Sequence, residues 1–158
     1  MTSAETDPGT AVRTSVVVGA SPEHAFDVFT AGLDRWWIRS HHLLPDDLKR
    51  VTVEPRAGGA IREESVTGQT CTWGRVLTWD PPGTFVFAWL IGSDWQVPDP
   101  DAAGSRVTVT FTPVADGTRV DLVHDRLDAH GAGWEKVRDG VGSDGGWPGL
   151  LREYAKTV

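Results

Sequence analysis

The stretch that decides the fold is residues 106–127, which read RVTVTFTPVADGTRVDLVHDRL. Apolar and polar residues alternate on both sides of a short turn, Ala115-Asp116-Gly117. Such alternation is typical of strands with one buried face, because successive side chains of a strand point to opposite faces. Aspartate and glycine between two runs of this kind indicate a hairpin. We therefore expect two adjacent antiparallel strands, over 106–112 and 118–127.

Five further strands are expected upstream of this hairpin. The first is followed by a helix that begins at Ser21 and Pro22, since serine is a good N-cap and proline fits the first turn. A second short helix follows Gly32. Strands in succession with helices before and after them predict an α+β fold with a largely antiparallel sheet. Turns rich in glycine and proline place these five strands at 12–18, 51–54, 60–65, 72–79 and 84–91.

The last helix is the element available to cover this sheet. Trp147, Leu150, Leu151 and Tyr154 fall at i, i+3, i+4 and i+7, which places them on one face of a helix. An apolar stripe of this kind must be buried, and one face of the sheet needs a cover. We expect the sheet to curve around this helix.

These pieces occur together in a known family. The chain resembles the START-like or helix-grip superfamily (SRPBCC), in the branch related to the activator of heat-shock-protein ATPase. The resemblance implies a curved sheet of about seven strands around a C-terminal helix, with two short helices after the first strand. It also implies a cavity between sheet and helix, which in many members holds lipids, sterols, polyketides or plant hormones. The matching segments are SPEHAF at 21–26, WW at 36–37, PRAGG at 55–59, WGRVLTWDPP at 73–82, VTVTFT at 107–112 and GWPGLL at 146–151.

Composition narrows the classes of partner. Fifteen Lys and Arg against 22 Asp and Glu give a formal charge of −7, which disfavours nucleic acid and anionic membranes. No apolar run approaches the roughly 20 residues of a membrane helix, and no secretory signal is visible, so we expect a cytoplasmic protein. The lone Cys71 excludes an internal disulfide. Residues 1–11 are small and polar and should form a disordered leader before one domain at 12–158.

Eight tryptophans are the unusual feature of the composition. Tryptophan offers a large rigid apolar face and one N–H donor, which suits the wall of a ligand pocket. The resemblance brings four tryptophan-bearing segments around one space. We expect the ligand-binding residues to be Trp36, Trp37, Ile61, Glu63, Trp73, Arg75, Phe87, Trp89, Val109, Leu122, His124, Trp147, Leu151 and Tyr154.

Three polar residues in this set could form a cluster inside the cavity. Strand alternation puts Glu63 and His124 on inward faces and puts Arg75 on the same face as Trp73 and Leu77. Equally, Glu63 and Arg75 could form a cross-strand ion pair on the outer face. A buried His124 needs a hydrogen-bond partner, and it could either be satisfied within the protein or contact a ligand.

Nothing in the sequence indicates a metal or a cofactor. His41 and His42 are adjacent and therefore point in different directions, so we interpret them as solvated loop histidines. The glycine-rich stretch 140–149 lacks the preceding strand and the lysine of a phosphate loop, and is interpreted as a flexible lead-in to the last helix. No serine or cysteine has the surroundings of a nucleophile, so no catalytic residue is assigned.

Three functions remain open. The first is binding of a small apolar or aromatic molecule in the cavity. The second is an enzyme of the polyketide aromatase/cyclase type, with His124, Glu63 or Arg75 as acid or base. The third is a chaperone-related interaction module, which would have a filled cavity and an exposed apolar patch. A homodimer is possible with any of them.

Overall fold

The computed structural model describes residues 9–158. The leader predicted at residues 1–11 lies mostly outside the described residues. The strands are β1 (Val12–Val18), β2 (Leu48–Val53), β3 (Ala60–Ser65), β4 (Thr70–Asp80), β5 (Thr84–Trp89), β6 (Ser105–Val114) and β7 (Gly117–Asp125). The helices are α1 (Pro22–Thr30), α2 (Leu33–Trp36), α3 (Trp134–Val141) and α4 (Trp147–Thr157), with a turn of 3-10 helix at Leu127–His130.

All seven strands form one antiparallel sheet in the order β1-β7-β6-β5-β4-β3-β2. The two short helices follow β1, and α4 packs on the concave face. The predicted α+β helix-grip fold is therefore confirmed. None of the helices formed by residues 9–158 has both the length and the apolar character that crossing a membrane requires.

The alternation noted in the sequence builds the core as rows across the sheet. Phe85 lies opposite Val109, and Val109 lies opposite Leu122, so three strands contribute one apolar row. The next row contains Phe87, Val107 and His124 in the same way. All six side chains are buried, and His124 is the one polar member of these two rows.

Strand β4 departs from simple alternation at two β-bulges. In its pairing with β3, Ile61 faces Gly74 and Arg62 faces Thr72, so Trp73 is an extra residue without a partner. In the pairing of β4 with β5, Val76 faces Phe87 and Thr78 faces Val86, so Leu77 is likewise an extra residue without a partner. A bulge changes which side chains face inward, because one strand gains a residue. As a result Trp73 is buried while Leu77 is 47% exposed.

Helix α4 is tied to the rest of the fold by Tyr154. Its hydroxyl donates a hydrogen bond to the backbone oxygen of Ala25 in α1, at 2.7 Å. Its ring packs edge-on against Phe29 and Trp36, with centroids 5.2 and 5.5 Å away. Burial also raises the pKa of Tyr154 well above its ordinary value, so the hydroxyl keeps its proton.

Replacing Tyr154 with phenylalanine should lower the free energy of unfolding by about 1–3 kcal/mol, because the carbonyl of Ala25 loses its buried donor. Urea denaturation followed by circular dichroism measures this change. The control is Arg152→Gln, on the exposed side of α4, which should stay within about 0.5 kcal/mol of the wild type. Equal stability of Tyr154→Phe and the wild type would contradict the role given to this contact.

Candidate ligand-binding cavity

A cavity of about 410 Å³ lies between the sheet and the segments around α3 and α4. Its buried walls come from β3, β4, β5, the residues just after α2 and β5, the end of α3 and the start of α4. Its more exposed rim comes from three loops and from Gly140 in α3. The wall residues are Trp37, Glu63, Trp73, Trp89, Ile91, Val141, Gly146, Trp147 and Leu150. The rim residues are Ser40, His41, His42, Leu43, Trp95, Gly140, Ser143 and Gly145.

Four of the wall tryptophans form a continuous aromatic surface. The rings of Trp37 and Trp73 are stacked, with centroids 5.1 Å apart and an interplanar angle of 24°. Trp89 meets Trp73 edge-on at 5.4 Å and Trp147 edge-on at 5.6 Å. Stacked and edge-on pairs are the favourable arrangements for aromatic rings, so the four indoles stabilise one another in the wall.

Hydrogen bonds fix two of these indoles in place. The Nε1 of Trp37 donates to the backbone oxygen of His41 at 2.9 Å. The Nε1 of Trp147 donates to Nδ1 of His124 at 3.1 Å. The Nε1 of Trp89 is buried and, among residues 9–158, has no hydrogen-bond partner.

His124 supports Trp147 from behind the wall through a buried chain of hydrogen bonds. An indole N–H can only donate, so Nδ1 of His124 accepts the bond from Trp147 and carries no proton. The proton of the neutral ring is therefore on Nε2 of His124, which donates to the hydroxyl of Ser105 at 2.7 Å. The Ser105 oxygen also lies 2.8 Å from Nε2 of His130. Burial, followed by the nearby His130, lowers the pKa of His124 to about 3. His124 is therefore neutral, fully buried and not part of the lining.

The carboxylate of Glu63 is the charged group of the wall. It accepts hydrogen bonds from the backbone N–H of Leu43, at 2.8 and 3.0 Å, and from that of Leu44, at 3.0 Å. These bonds offset part of the cost of burying a charge, which is several kcal/mol without such partners. They also anchor the loop of residues 38–47, here called the mouth loop, against the sheet.

Two further contacts close the rim. Nε2 of His41 donates to the backbone oxygen of Gly145 at 2.5 Å, which joins the mouth loop to the turn between α3 and α4. Opposite, the ring of Trp95 lies so close to Gly140 that a Cβ there would be 2.4 Å from it. Trp95 is 42% exposed and has a φ of 59°, a left-handed conformation that is uncommon for a bulky residue.

Residues 19–158 match the family model described as Activator of Hsp90 ATPase homolog 1-like protein. The chain belongs to this family. The resemblance to the START-like superfamily drawn from the sequence is thereby confirmed. No curated protein sequence matches the chain.

Several solved structures are similar to this family member in sequence and fold. An anthrahydroquino-gamma-pyrone synthase, Txn09, solved in complex with SUM, is 40% identical, with 96% of this chain and 99% of that chain covered and a TM-score of 0.64. The self-sacrificing resistance protein CalC from Micromonospora echinospora is 28% identical, with 94% of each chain covered and a TM-score of 0.63. An Aha1 dimer from Colwellia psychrerythraea, at 18% identity and a TM-score of 0.51, shares the fold.

Five of the site residues predicted from the sequence line the cavity of this family member. They are Trp37, Glu63, Trp73, Trp89 and Trp147. Apart from Arg75, the others are core residues or lie behind the wall. The Nε1 of Trp36 donates to the backbone oxygen of Val28, and Phe87 packs against Trp73 and Trp147. The remaining buried residues outside the lining are Ile61, Val109, Leu122, Leu151 and Tyr154.

Arg75, predicted among the ligand-binding residues, does not line the cavity. Arg75 pairs with Ala60 and Ala88 on the outer face, and its guanidinium donates to the backbone oxygen of Pro100. The bulge at Trp73 is the reason, since it breaks the alternation that placed both side chains on one face. Neither the inward cluster with Glu63 and His124 nor the outer ion pair with Glu63 is formed.

The two histidines interpreted as solvated are also placed differently. His41 and His42 are half-buried at the rim, and Nδ1 of His42 bonds the backbone oxygen of Leu44 at 2.7 Å. The contact of His41 with Gly145 spans 104 residues, so no local pattern could reveal it. Trp95, Ser105 and His130 were missed for the same reason, because each acts through long-range contacts.

Lowering the pH should weaken folding through His124. Its pKa of about 3 in the folded protein, against 6.5 for the free side chain, means that the unfolded chain binds more protons between these values. Stability is therefore complete above about pH 6.5 and should fall by about 1 kcal/mol per pH unit from about pH 6.5 to pH 5. Urea denaturation at several pH values measures the slope.

His124→Gln should flatten this slope, whereas His130→Gln should retain most of it, although burial lowers the pKa of His130 as well. Slopes that are the same in wild type and His124→Gln would show that His124 is not the residue responsible.

Proposed function

We propose that this protein binds a flat, largely apolar aromatic molecule in the cavity. The observation that carries the proposal is the lining itself: Trp37, Trp73, Trp89 and Trp147 present their rings on the walls, and Trp95 stands at the rim. A volume of about 410 Å³ falls within the roughly 300–1,000 Å³ of small-molecule sites. Aromatic walls with few polar groups favour a ligand with extended π faces.

One related structure supports this class of ligand. Txn09 is by its description a synthase of an anthrahydroquinone fused to a pyrone, a flat polycyclic compound, and it is 40% identical to this chain. We therefore infer that the ligand of this chain is a polycyclic aromatic molecule that carries oxygen substituents.

The interaction-module alternative has less support. It requires a cavity that the protein's own side chains fill, whereas the side chains here leave a space of about 410 Å³ between sheet and helices. The family name and the Aha1 dimer of shared fold leave a chaperone partner and a homodimer as predictions.

An anthraquinone probe should quench the tryptophan fluorescence of the protein in a saturable way. Trp73→Leu and Trp147→Leu should each weaken binding by about tenfold, because each removes one aromatic wall, and aromatic pairs contribute about 0.5–1.5 kcal/mol beyond buried area. Titration followed by fluorescence gives the dissociation constants.

Trp79→Leu is the matched control, since Trp79 packs on Phe26 and Phe85 at a distance from this cavity. Unchanged affinity in both wall variants, with folding intact, would rule out the cavity as the binding site.

A second candidate is ring closure on the bound molecule, favoured by the 40% identity to a synthase over nearly the whole chain. A fused γ-pyrone forms when a phenol oxygen attacks the distal carbonyl carbon of an ortho 1,3-diketone; the C–O bond forms and water leaves. Glu63, on the wall, is the residue placed to take the phenol proton. His124 and Arg75 lie outside the lining and take no part.

Under this second candidate, the protein should accelerate closure of an ortho-hydroxyaryl 1,3-diketone built on an anthraquinone. Glu63→Gln should lower that rate by about a hundredfold, the lower range for loss of a general base. Absorbance spectroscopy and mass spectrometry follow the loss of one water. A wild-type rate equal to the rate in buffer would eliminate the enzyme and leave the binding proposal intact.

A further inference from the structure

Glu63 supplies the carboxylate of the buried wall, and the other polar side chains of the lining, those of Ser40, His41, His42 and Ser143, lie at the rim. Among the lining residues in the described part of the chain, Glu63 is the only acidic side chain, and none is lysine or arginine. Glu63 is 2% exposed, so bulk water does not solvate its charge. The cavity is therefore apolar with a single strong hydrogen-bond acceptor in its wall.

The acceptor capacity of this carboxylate is not filled. An ionised carboxylate has about four lone-pair sites. Two backbone N–H groups, of Leu43 and Leu44, make three contacts with it, and Oε1 receives only the one from Leu43. Within residues 9–158 no lysine, arginine or histidine nitrogen forms an ion pair with Glu63, although other carboxylates such as Glu64 have such partners.

We propose that Glu63 accepts a hydrogen bond from a hydroxyl group of the aromatic ligand, so that the site selects neutral hydroxyarenes. This inference rests on the proposed function, because it concerns the same cavity. A hydrogen bond to a buried charged acceptor is worth more than one between neutral groups, and it is available only to a ligand that brings a donor.

Other ligand chemistries match the cavity less well. A ligand carboxylate would meet the charge of Glu63, and none of the lining residues is a lysine or arginine that could pair with it. An ammonium group brings three donors, of which the one free position on the carboxylate can accept only one, so the other two would lose their water against the apolar wall. A phenol brings one donor to one vacant acceptor, and its ring occupies the aromatic surface.

The same carboxylate also anchors the mouth loop. A substitution of Glu63 could therefore weaken binding of any ligand by loosening the loop, with no contact to the ligand. A test has to separate these two effects, which a comparison of ligands with and without the hydroxyl achieves.

The experiment measures the affinity of four anthraquinones substituted at the 2-position with hydroxyl, methoxy, carboxylate or aminomethyl. Tryptophan quenching is recorded at about pH 6, where a phenol is neutral. In the wild type the hydroxy compound should bind about tenfold tighter than the methoxy compound, with the carboxylate weakest. In Glu63→Gln the hydroxy and methoxy compounds should become equal within about twofold.

Glu64→Gln is the matched control. Glu64 is the next residue, on the outer face of β3 beside Lys49 and Arg50, so this variant should keep the tenfold preference. Equal loss for both compounds in Glu63→Gln would overturn the proposal and leave Glu63 only its role in the loop. Tightest binding of the aminomethyl compound would also overturn it.

The wild-type comparison needs no variant, so it decides the proposal even if Glu63→Gln does not fold. Equal wild-type affinities for the hydroxy and methoxy compounds would refute the hydroxyl contact while the aromatic site stands. Failure of all four compounds to bind would instead refute the aromatic site, and the hydroxyl contact with it.

Discussion

Helix α4 is too short to cover the sheet it packs on, and the cavity is a consequence of that mismatch. Eleven residues give α4 a length of about 16 Å at 1.5 Å per residue. Seven strands spaced about 4.8 Å apart extend across about 29 Å from first to last. Helix α4 packs near β1 and the first two helices, so the concave face of β3, β4 and β5 needs another cover.

Tryptophans and the mouth loop provide that cover without filling the space. Trp37, Trp73, Trp89 and Trp147 line the uncovered part, and their large rings span a gap that smaller side chains would leave to water. The loop is held by the Glu63 carboxylate, and the indole of Trp147 by His124. Polar groups thus act here as supports for apolar walls.

Much of this architecture could be predicted from the sequence. Alternation in β6 and β7 and the stripe on α4 each report a buried face, and both were confirmed. The same alternation left two directions open for Glu63, inward or in an outer ion pair with Arg75, and the structure shows the inward one. Arg75 and Trp73 point to opposite faces because the bulge at Trp73 adds one residue to β4. The pattern of apolar and polar residues before a bulge does not indicate that extra residue.

The rim of the cavity could not be predicted for a different reason. His41 and Trp95 belong to loops, where no periodicity tells the direction of a side chain, and their partners Gly145 and Gly140 lie far along the chain. The role of His124 likewise depends on Ser105 and Trp147, which only the fold brings together. Loops and buried polar networks are thus the parts of a site that need coordinates.

We propose that aromatic ligands occupy the space between β3–β5 and the start of α4. The most direct measurement is a nitrogen–proton NMR spectrum of the indole Nε1–H groups during titration with 2-hydroxyanthraquinone. The resonances of Trp73, Trp89 and Trp147 should shift, and those of Trp36 and Trp79, which do not line the cavity, should stay in place. Shifts confined to Trp79, or no shifts at saturating ligand, would contradict the account.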